Sequence, residues 1–196
     1  MSSGDTRWRC FLALDLAPAA RLALHVLQAA LQARWTTPDP PHWVEAAVLH
    51  LTLRYLGVST PNQRERIAAT LPALARGPVM QPLTASSIAV WPPAAPRVLV
   101  LELAHDAMLA DLAARGEAVA RACGFAPEPH PFRSHVTLGR WSRSPCRSPL
   151  PIDTALPGGL HGIGIALHRS PAFADGQGYA RLAYAPLSAD GDAGRA

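Results

Sequence analysis

Residues 131–140 read PFRSHVTLGR, and they echo an earlier stretch of the chain, LHLTLRYLG at residues 49–57. Both contain His-x-Thr-Leu, followed within a few residues by Gly and Arg. Leu, Val, Thr and Tyr favour extended backbone, so each stretch is predicted to form a short β-strand. Because side chains alternate along a strand, His50 and Thr52 share one face, and the second copy repeats this arrangement. The sequence therefore predicts two strands, each with an apolar face and a face that carries an imidazole and a hydroxyl.

The composition is typical of a globular protein, with 49% apolar and 16% charged residues in a chain of 196. That length accommodates one domain or two small lobes. No run approaches eighteen apolar residues, and the first residues lack the pattern of a signal peptide, so we expect no membrane association and a cytoplasmic location.

The three cysteines share no metal-type spacing. The net charge of +4 favours an anionic partner. Four arginines bracket the second motif: Arg133, Arg140, Arg143 and Arg147.

Hydrophobic periodicity predicts three helices and a larger number of strands. The helices are expected at residues 18–33, 61–71 and 105–123, and strands at residues 8–16, 49–56, 83–90, 98–103, 160–167 and 179–185, besides the second motif. Leu22, Leu24, Val26, Leu27 and Leu31 are expected on the apolar side of the first helix. Thr60 and Gln63 form a capping box for the second helix, which Pro72 is expected to end or kink near Leu71.

This order of elements predicts an α+β fold with mainly antiparallel sheets. We expect a flexible tail at residues 1–7, one domain at residues 8–187 and a second tail at residues 188–196. Residues 142–157 are polar and rich in Pro, so they are predicted to form a loop.

His50 and His135 are the candidate catalytic residues. The chain contains more His-x-Thr-Leu motifs than its content of His and Thr would produce by chance, and both lie on strand-like segments. Facing imidazoles can serve as one general acid and one general base, because their ordinary pKa lies near neutrality. Cleavage of a phosphoester suits such a pair, and the hydroxyls of Thr52 and Thr137 can donate hydrogen bonds to phosphate oxygens. The other six histidines are expected to be structural: His25, His42, His105, His130, His161 and His168.

Two other uses of the motifs have weaker support. A catalytic zinc needs three protein ligands, and neither motif has a carboxylate or Cys two residues from its His. A Thr nucleophile would need a third residue to orient its base, and the sequence offers none. We therefore expect neither a metal nor another cofactor.

The chain resembles the 2H phosphoesterase superfamily, and more narrowly the RNA 2′,3′-cyclic phosphodiesterases, also labelled 2′-5′ RNA ligases. The resemblance covers nearly the whole chain. It rests on residues 11–16 (FLALDL), 43–44 (WV), 49–57, 96–101 (PRVLVL), 124–125 (GF), 131–140, and Ser170 with Gly178-Tyr179.

The resemblance implies a bilobal fold with two mainly antiparallel sheets, flanking helices and pseudo-twofold symmetry around a central cleft. It implies hydrolysis of a terminal 2′,3′-cyclic phosphate on RNA to a 2′-phosphate without metal. His50 would protonate the departing 3′ oxygen and His135 would activate water. Thr52, Thr137 and Arg140 would hold the phosphate. The expected partner is RNA with such ends, or a related nucleotide, with no obligate protein partner.

The sequence departs from the family pattern at several positions, and more than one function is compatible with the resemblance. Strict alternation would turn Arg140 away from His135, so its role requires a bulge or twist, for which Gly139 is a plausible cause. Ser134 stands where the family usually has Pro. His168 stands where an acidic or aromatic residue is more usual. Tyr55 and Arg133 are interpreted as a packing residue and a surface residue. Ligation of RNA ends through a 2′-5′ bond, a phosphodiesterase for small cyclic nucleotides, and a non-catalytic RNA-end-binding module are the alternative functions.

Overall fold

The computed structural model describes residues 7–36, 38–77, 80–141, 154–170 and 179–189. Its strands are β1 (Trp8–Leu16), β2 (His42–Trp43), β3 (His50–Ser59), β4 (Arg76–Gly77), β5 (Ala85–Trp91), β6 (Val98–Leu103), β7 (His135–Arg140), β8 (Gly162–Arg169), β9 (Ala180–Pro186) and β10 (Ser188–Ala189). Its helices are α1 (Pro18–Ala33), α2 (Pro61–Leu74) and α3 (Ala107–Ala122), with a short 3-10 helix at Ala46–Val48. Arg143, Cys146, Arg147, most of the expected loop and most of both expected tails lie outside the described residues.

The α+β class and the antiparallel pairing are confirmed. One sheet has the strand order β5-β6-β7-β3-β1-β8-β9, and β2 pairs with β7. Two separate sheets were expected, but β3 and β7 pair at Leu51 and Val136, which joins the two halves into one sheet. Both side chains are fully buried, so the junction is part of the apolar core.

A short parallel pair lies outside this sheet. Ser188 and Ala189 were expected in the C-terminal tail, but they form β10 and pair with β4. The backbone N–H of Ser188 also donates to the Ala75 carbonyl at 3.2 Å. None of the described helices is long and apolar enough to cross a membrane.

The buried face of α1 was predicted only in part. Leu24, Leu27 and Leu31 are buried as expected, but Leu22 and Val26 are exposed by 63% and 61%. These two lie four residues apart, so they occupy one ridge of the helix, which points away from the sheet. Polar Gln28 is buried instead, where its side-chain amide donates to the carbonyl oxygens of Val44 and Leu138 at 2.8 and 2.9 Å.

The start of α2 was predicted correctly and its end was not. The Thr60–Gln63 capping box is present. The helix continues through Pro72 to Leu74, whereas the sequence predicted an end near Leu71. Proline forfeits one backbone hydrogen bond, and burial of Leu71 and Leu74 on either side of it keeps the last turn helical.

Candidate active site

The junction between β3 and β7 brings the two motifs together. Because Leu51 and Val136 point into the core, the residues that flank them point to the opposite face. Continuing the antiparallel register places His50 across from Thr137, and Thr52 across from His135. Residues directly opposite are about 5 Å apart, and diagonal ones roughly 7–8 Å. By this register the two imidazoles are diagonal neighbours on one face of the sheet.

Each motif strand has the same pairing with its neighbour. Asp15 of β1 lies opposite His50, and Glu102 of β6 lies opposite His135. One residue after each motif Thr, the register shifts by one residue, at Leu53 in β3 and at Leu138 in β7. A carboxylate thus stands across from each imidazole, and a β-bulge follows each motif at the same distance.

The bulge in β7 gives Arg140 the orientation that its expected role requires. With Leu138 as the additional residue, Arg140 turns to the imidazole face instead of the opposite one. Its guanidinium lowers the pKa of both His50 and His135, so its charge acts on the whole site. A Cβ at Gly139 would lie 2.8 Å from Cβ of Pro41, so the bulge has room for glycine only. The expectation of a bulge at this glycine is confirmed.

The first motif places different residues after its bulge. Tyr55 takes the position that corresponds to Arg140 and is 47% exposed. Arg54 corresponds to Gly139 and is buried; it forms ion pairs with Glu117 and Glu128. Arg54 therefore links β3 to the segment that leads into the second motif.

Both imidazoles are oriented by the same type of hydrogen bond. Nδ1 of His50 lies 2.7 Å from the Val48 carbonyl oxygen, and Nδ1 of His135 lies 2.7 Å from that of Arg133. A carbonyl only accepts, so in each ring Nδ1 carries the proton and donates. The lone pair of the neutral imidazole is therefore on Nε2, which is the atom available for proton transfer.

The unliganded site favours the neutral form of both imidazoles. Burial lowers the pKa of His50 to about 4, against the hydrogen bond to Val48, which raises it. Burial also lowers the pKa of His135, and the cationic Arg140 and Arg133 lower it further. Both rings are thus neutral at neutral pH.

Phe11, His168 and Asp15 surround His50. The Phe11 ring stacks on His50 with centroids 4.7 Å apart, and the His168 ring stacks against both Phe11 and His50. Nε2 of His168 lies 2.8 Å from the Asp15 carboxylate, which also accepts from Arg181 at 3.2 Å. Burial raises the pKa of Asp15, but these two partners outweigh burial and the net pKa is lowered. His168 was expected to be structural, and its contact with Asp15 is consistent with that role.

A different set of side chains surrounds His135. Its ring lies against Trp91 at 4.5 Å between centroids. Arg133 stacks on Trp91 at 3.9 Å and pairs with Glu102 at 2.8 Å, while the Trp91 indole N–H donates to Glu102 at 3.2 Å. Arg133 is therefore held in place beside the imidazole, although its side chain remains largely exposed.

Two pockets flank the imidazole pair. The larger, of about 760 Å³, lies beside His135 and is mainly apolar; its lining includes Thr52, Tyr55, Trp91, Phe132 and Arg133. The smaller, of about 330 Å³, lies beside His50 and is mainly polar; its lining includes Asp15, Arg21, His168, Tyr179 and Arg181. Within the described residues, no group of three His, Cys, Asp or Glu side chains is arranged to hold a metal ion.

The sequence predicted that the two motif histidines share a site, but it did not predict which side chains surround them. Asp15, Phe11 and Trp91 belong to strands remote in sequence from the motifs, and although Phe11 and Asp15 lie in a stretch on which the resemblance rests, no local pattern placed these three beside the histidines. Glu102 lies in a strand that was predicted, directly opposite His135, but its register could not be read from the sequence.

Comparison with known proteins found similarity among solved structures. No protein-family model matches the chain, and no curated protein matches it. Escherichia coli LigT in complex with 3′-AMP is 25% identical with a TM-score of 0.71, and the match covers 93% of this chain and 99% of that one. A protein of Thermus thermophilus is 25% identical over the same shares, with a TM-score of 0.74. A structure described as a phosphoesterase is 25% identical over the same shares, with a TM-score of 0.66. These similarities support the 2H phosphoesterase superfamily and an enzyme that acts on phosphoesters.

Proposed function

We propose that the protein is a metal-independent RNA 2′,3′-cyclic phosphodiesterase, which hydrolyses a terminal cyclic phosphate to a 2′-phosphate. The observation that carries this proposal is the pairing of two imidazoles on one sheet face, each with Nδ1 bound to a backbone carbonyl and Nε2 available. E. coli LigT has been solved with 3′-AMP and with ATP, which is consistent with a nucleotide ligand here.

The reaction is an in-line displacement at phosphorus. Nε2 of His135 accepts a proton from water, whose oxygen forms a bond to phosphorus. The bond from phosphorus to the 3′ oxygen breaks, and protonated Nε2 of His50 supplies the proton that makes the 3′ hydroxyl. Each proton transfer accounts for roughly 10²–10⁴-fold in rate. The products are a 2′-phosphate and a free 3′ hydroxyl, so the reaction involves no change of oxidation state.

The non-bridging oxygens of the phosphate are held by Thr52, Thr137 and Arg140. Each Thr lies across from the His of the other strand, so hydroxyl donors approach the phosphate from both motifs. The Arg140 guanidinium neutralises charge that builds up on these oxygens as water attacks.

Substrate binding favours protonation of the acid, which takes its proton from solvent. Free imidazoles with lowered pKa values are neutral at neutral pH. A bound phosphodiester anion pairs with Arg140, so it offsets the cation that lowers both pKa values, and its own charge raises them. One imidazole can then be protonated in the complex while the other stays neutral.

The test is hydrolysis of an oligoribonucleotide that ends in a 2′,3′-cyclic phosphate, with EDTA present. The proposal expects a 2′-phosphate as the product and retention of activity in EDTA. A 2′-5′ joined product with a 5′-hydroxyl RNA would identify ligation, and turnover of mononucleotides alone would identify a small-nucleotide phosphodiesterase. Tight binding of the RNA end without turnover would identify a binding module and contradict catalysis.

A further inference from the structure

We infer that the surface of β8 and β9 beside His50 binds the nucleotide immediately upstream of the RNA end, with its phosphodiester at Arg21 and Arg181 and its base on Tyr184. This inference rests on the proposed function, because it takes the cyclic phosphate to lie between the two imidazoles. It extends the site from one terminal nucleotide to a second one.

In-line displacement fixes the direction in which the RNA leaves the site. Water attacks from the side of His135, so the departing 3′ oxygen and the ribose that bears it lie toward His50. The 5′ oxygen of that ribose continues into the preceding phosphodiester. The strand therefore runs over the His50 side, where the smaller pocket lies, and the larger apolar pocket is on the side from which water attacks.

The smaller pocket has the charge that a phosphodiester requires. Its lining contains two guanidinium groups, from Arg21 and Arg181, and one carboxylate, from Asp15. Arg181 already pairs with Asp15 at 3.2 Å but remains 53% exposed. Among the described residues the Arg21 side chain has no hydrogen-bond or ion-pair partner, although it is half-buried at the start of α1. An anion in this pocket would give Arg21 a counter-charge.

Tyr184 provides a flat aromatic surface next to these arginines. Across the sheet, Tyr184 pairs with Ala166, Ala166 pairs with Ala13, and Ala13 pairs with Thr52. Side chains of paired residues lie on the same face of a sheet, so the Tyr184 side chain is on the face of the motif residues. A Cβ at Gly164 would lie 2.2 Å from the ring, so the ring rests directly on glycine backbone.

Tyr184 remains partly exposed. The hydroxyl donates to the Ile163 carbonyl at 3.0 Å, which fixes the ring, and 38% of the residue is exposed. The Arg181 guanidinium lies over the ring, 4.7 Å from its centroid, so a base that stacks on the exposed part of the ring would sit beside the same cation that contacts the phosphate. Single-stranded RNA is bound in this way elsewhere, by base stacking on aromatic rings along a basic groove.

If these residues have a purely structural role, their substitution does not change how binding affinity depends on the length of the ligand. In that case Tyr184 only covers Gly164 and Arg181 only pairs with Asp15. The two accounts differ in what happens when a ligand is extended by a phosphate and then by a nucleoside.

The experiment measures binding of three non-hydrolysable ligands by calorimetry: adenosine 2′-phosphate, adenosine 2′,5′-bisphosphate and the dinucleotide ApA with a terminal 2′-phosphate. For the native chain we expect affinity to rise by about tenfold with the 5′-phosphate, and by roughly fivefold or more with the second nucleoside. Hydrolysis of the matching cyclic phosphates is measured in parallel.

The variants separate the two steps of this series. Arg21→Gln should remove most of the gain from the 5′-phosphate and reduce the salt dependence of dinucleotide binding by about 0.7 in the log–log slope. Tyr184→Leu should remove the gain from the second nucleoside, whereas Tyr184→Phe should keep it. Arg121→Gln, on the exposed end of α3, is the matched control for a lost positive charge.

Equal affinity for the three ligands would overturn the inference, as would gains that Arg21→Gln and Tyr184→Leu leave intact. If the native chain hydrolyses the cyclic mononucleotide and dinucleotide equally well and binds all three ligands equally, only the inference fails. If neither substrate is hydrolysed, the proposed function fails, and the binding series still decides whether this surface holds an upstream nucleotide.

Discussion

Leu51 of β3 and Val136 of β7 face each other at the centre of the sheet, and both side chains are fully buried. This one pair fixes which faces of the two strands coincide, because a shift of one residue would turn one imidazole into the core. The apolar residues between His and Thr are thus as necessary to the site as the histidines themselves.

The lowered pKa values predict different pH profiles for the free enzyme and for the complex. Activity requires one protonated and one neutral imidazole, so kcat/KM should fall as pH rises above the lowered pKa of His135. Bound phosphate raises both pKa values, so kcat should hold to a higher pH. Steady-state kinetics on a cyclic mononucleotide across the acidic and neutral range give both profiles. The prediction would be contradicted if the pH optimum of kcat/KM were higher than the pH optimum of kcat.

Replacing Arg140 should alter both the rate and the pH profile. In Arg140→Gln we expect a loss of roughly 10²-fold or more in kcat/KM, because a charged contact to the phosphate is removed. Since Arg140 lowers the pKa of both imidazoles, both limbs of the profile should move to higher pH. Arg121→Gln serves as the control. A rate loss with an unshifted profile would mean that Arg140 does not act on the imidazoles.

The room available at Gly139 predicts a specific cost for adding one methyl group there. Gly139→Ala places Cβ 2.8 Å from Pro41, so we expect about 1–3 kcal/mol of destabilisation. Activity should also fall, because the bulge that turns Arg140 toward the imidazoles is disturbed. Denaturant unfolding and kinetics measure the two effects. Gly158→Ala, where a Cβ has open space, should change neither. Native stability in Gly139→Ala would show that the bulge does not need glycine.

The pairing of Asp15 with His168 predicts a pH-dependent contribution to stability. The pKa of Asp15 is lowered by folding, so its contribution is fully present above the ordinary carboxyl value of 3.8 and is lost as pH falls below it. Asp15→Asn should therefore cost about 1–3 kcal/mol at neutral pH, and less at strongly acidic pH. Urea unfolding at several pH values measures this difference. A cost that stays constant down to acidic pH would show that the charge of Asp15 is not responsible.

The local parts of this account were predictable from the sequence, and the long-range parts were not. Alternation along a strand was enough to place His50 with Thr52, and His135 with Thr137. Which strand lies beside each motif depends on packing between remote segments, so the positions of Asp15, Phe11 and Trp91 beside the histidines could not be predicted locally. The face of α1 was predicted incorrectly at Leu22 and Val26, because apolar residues occur on more than one side of that helix.

The central claim is that His50 and His135 act on opposite sides of one phosphorus–oxygen bond, and the most direct measurement is the single-turnover rate of His50→Ala, His135→Ala and the double variant. We expect each single variant to lose at least roughly 10²–10⁴-fold. We expect the double variant to be little slower than the worse single one, because the two groups act as a unit. Either single variant that cleaves the cyclic phosphate at the native rate would contradict the acid–base pair.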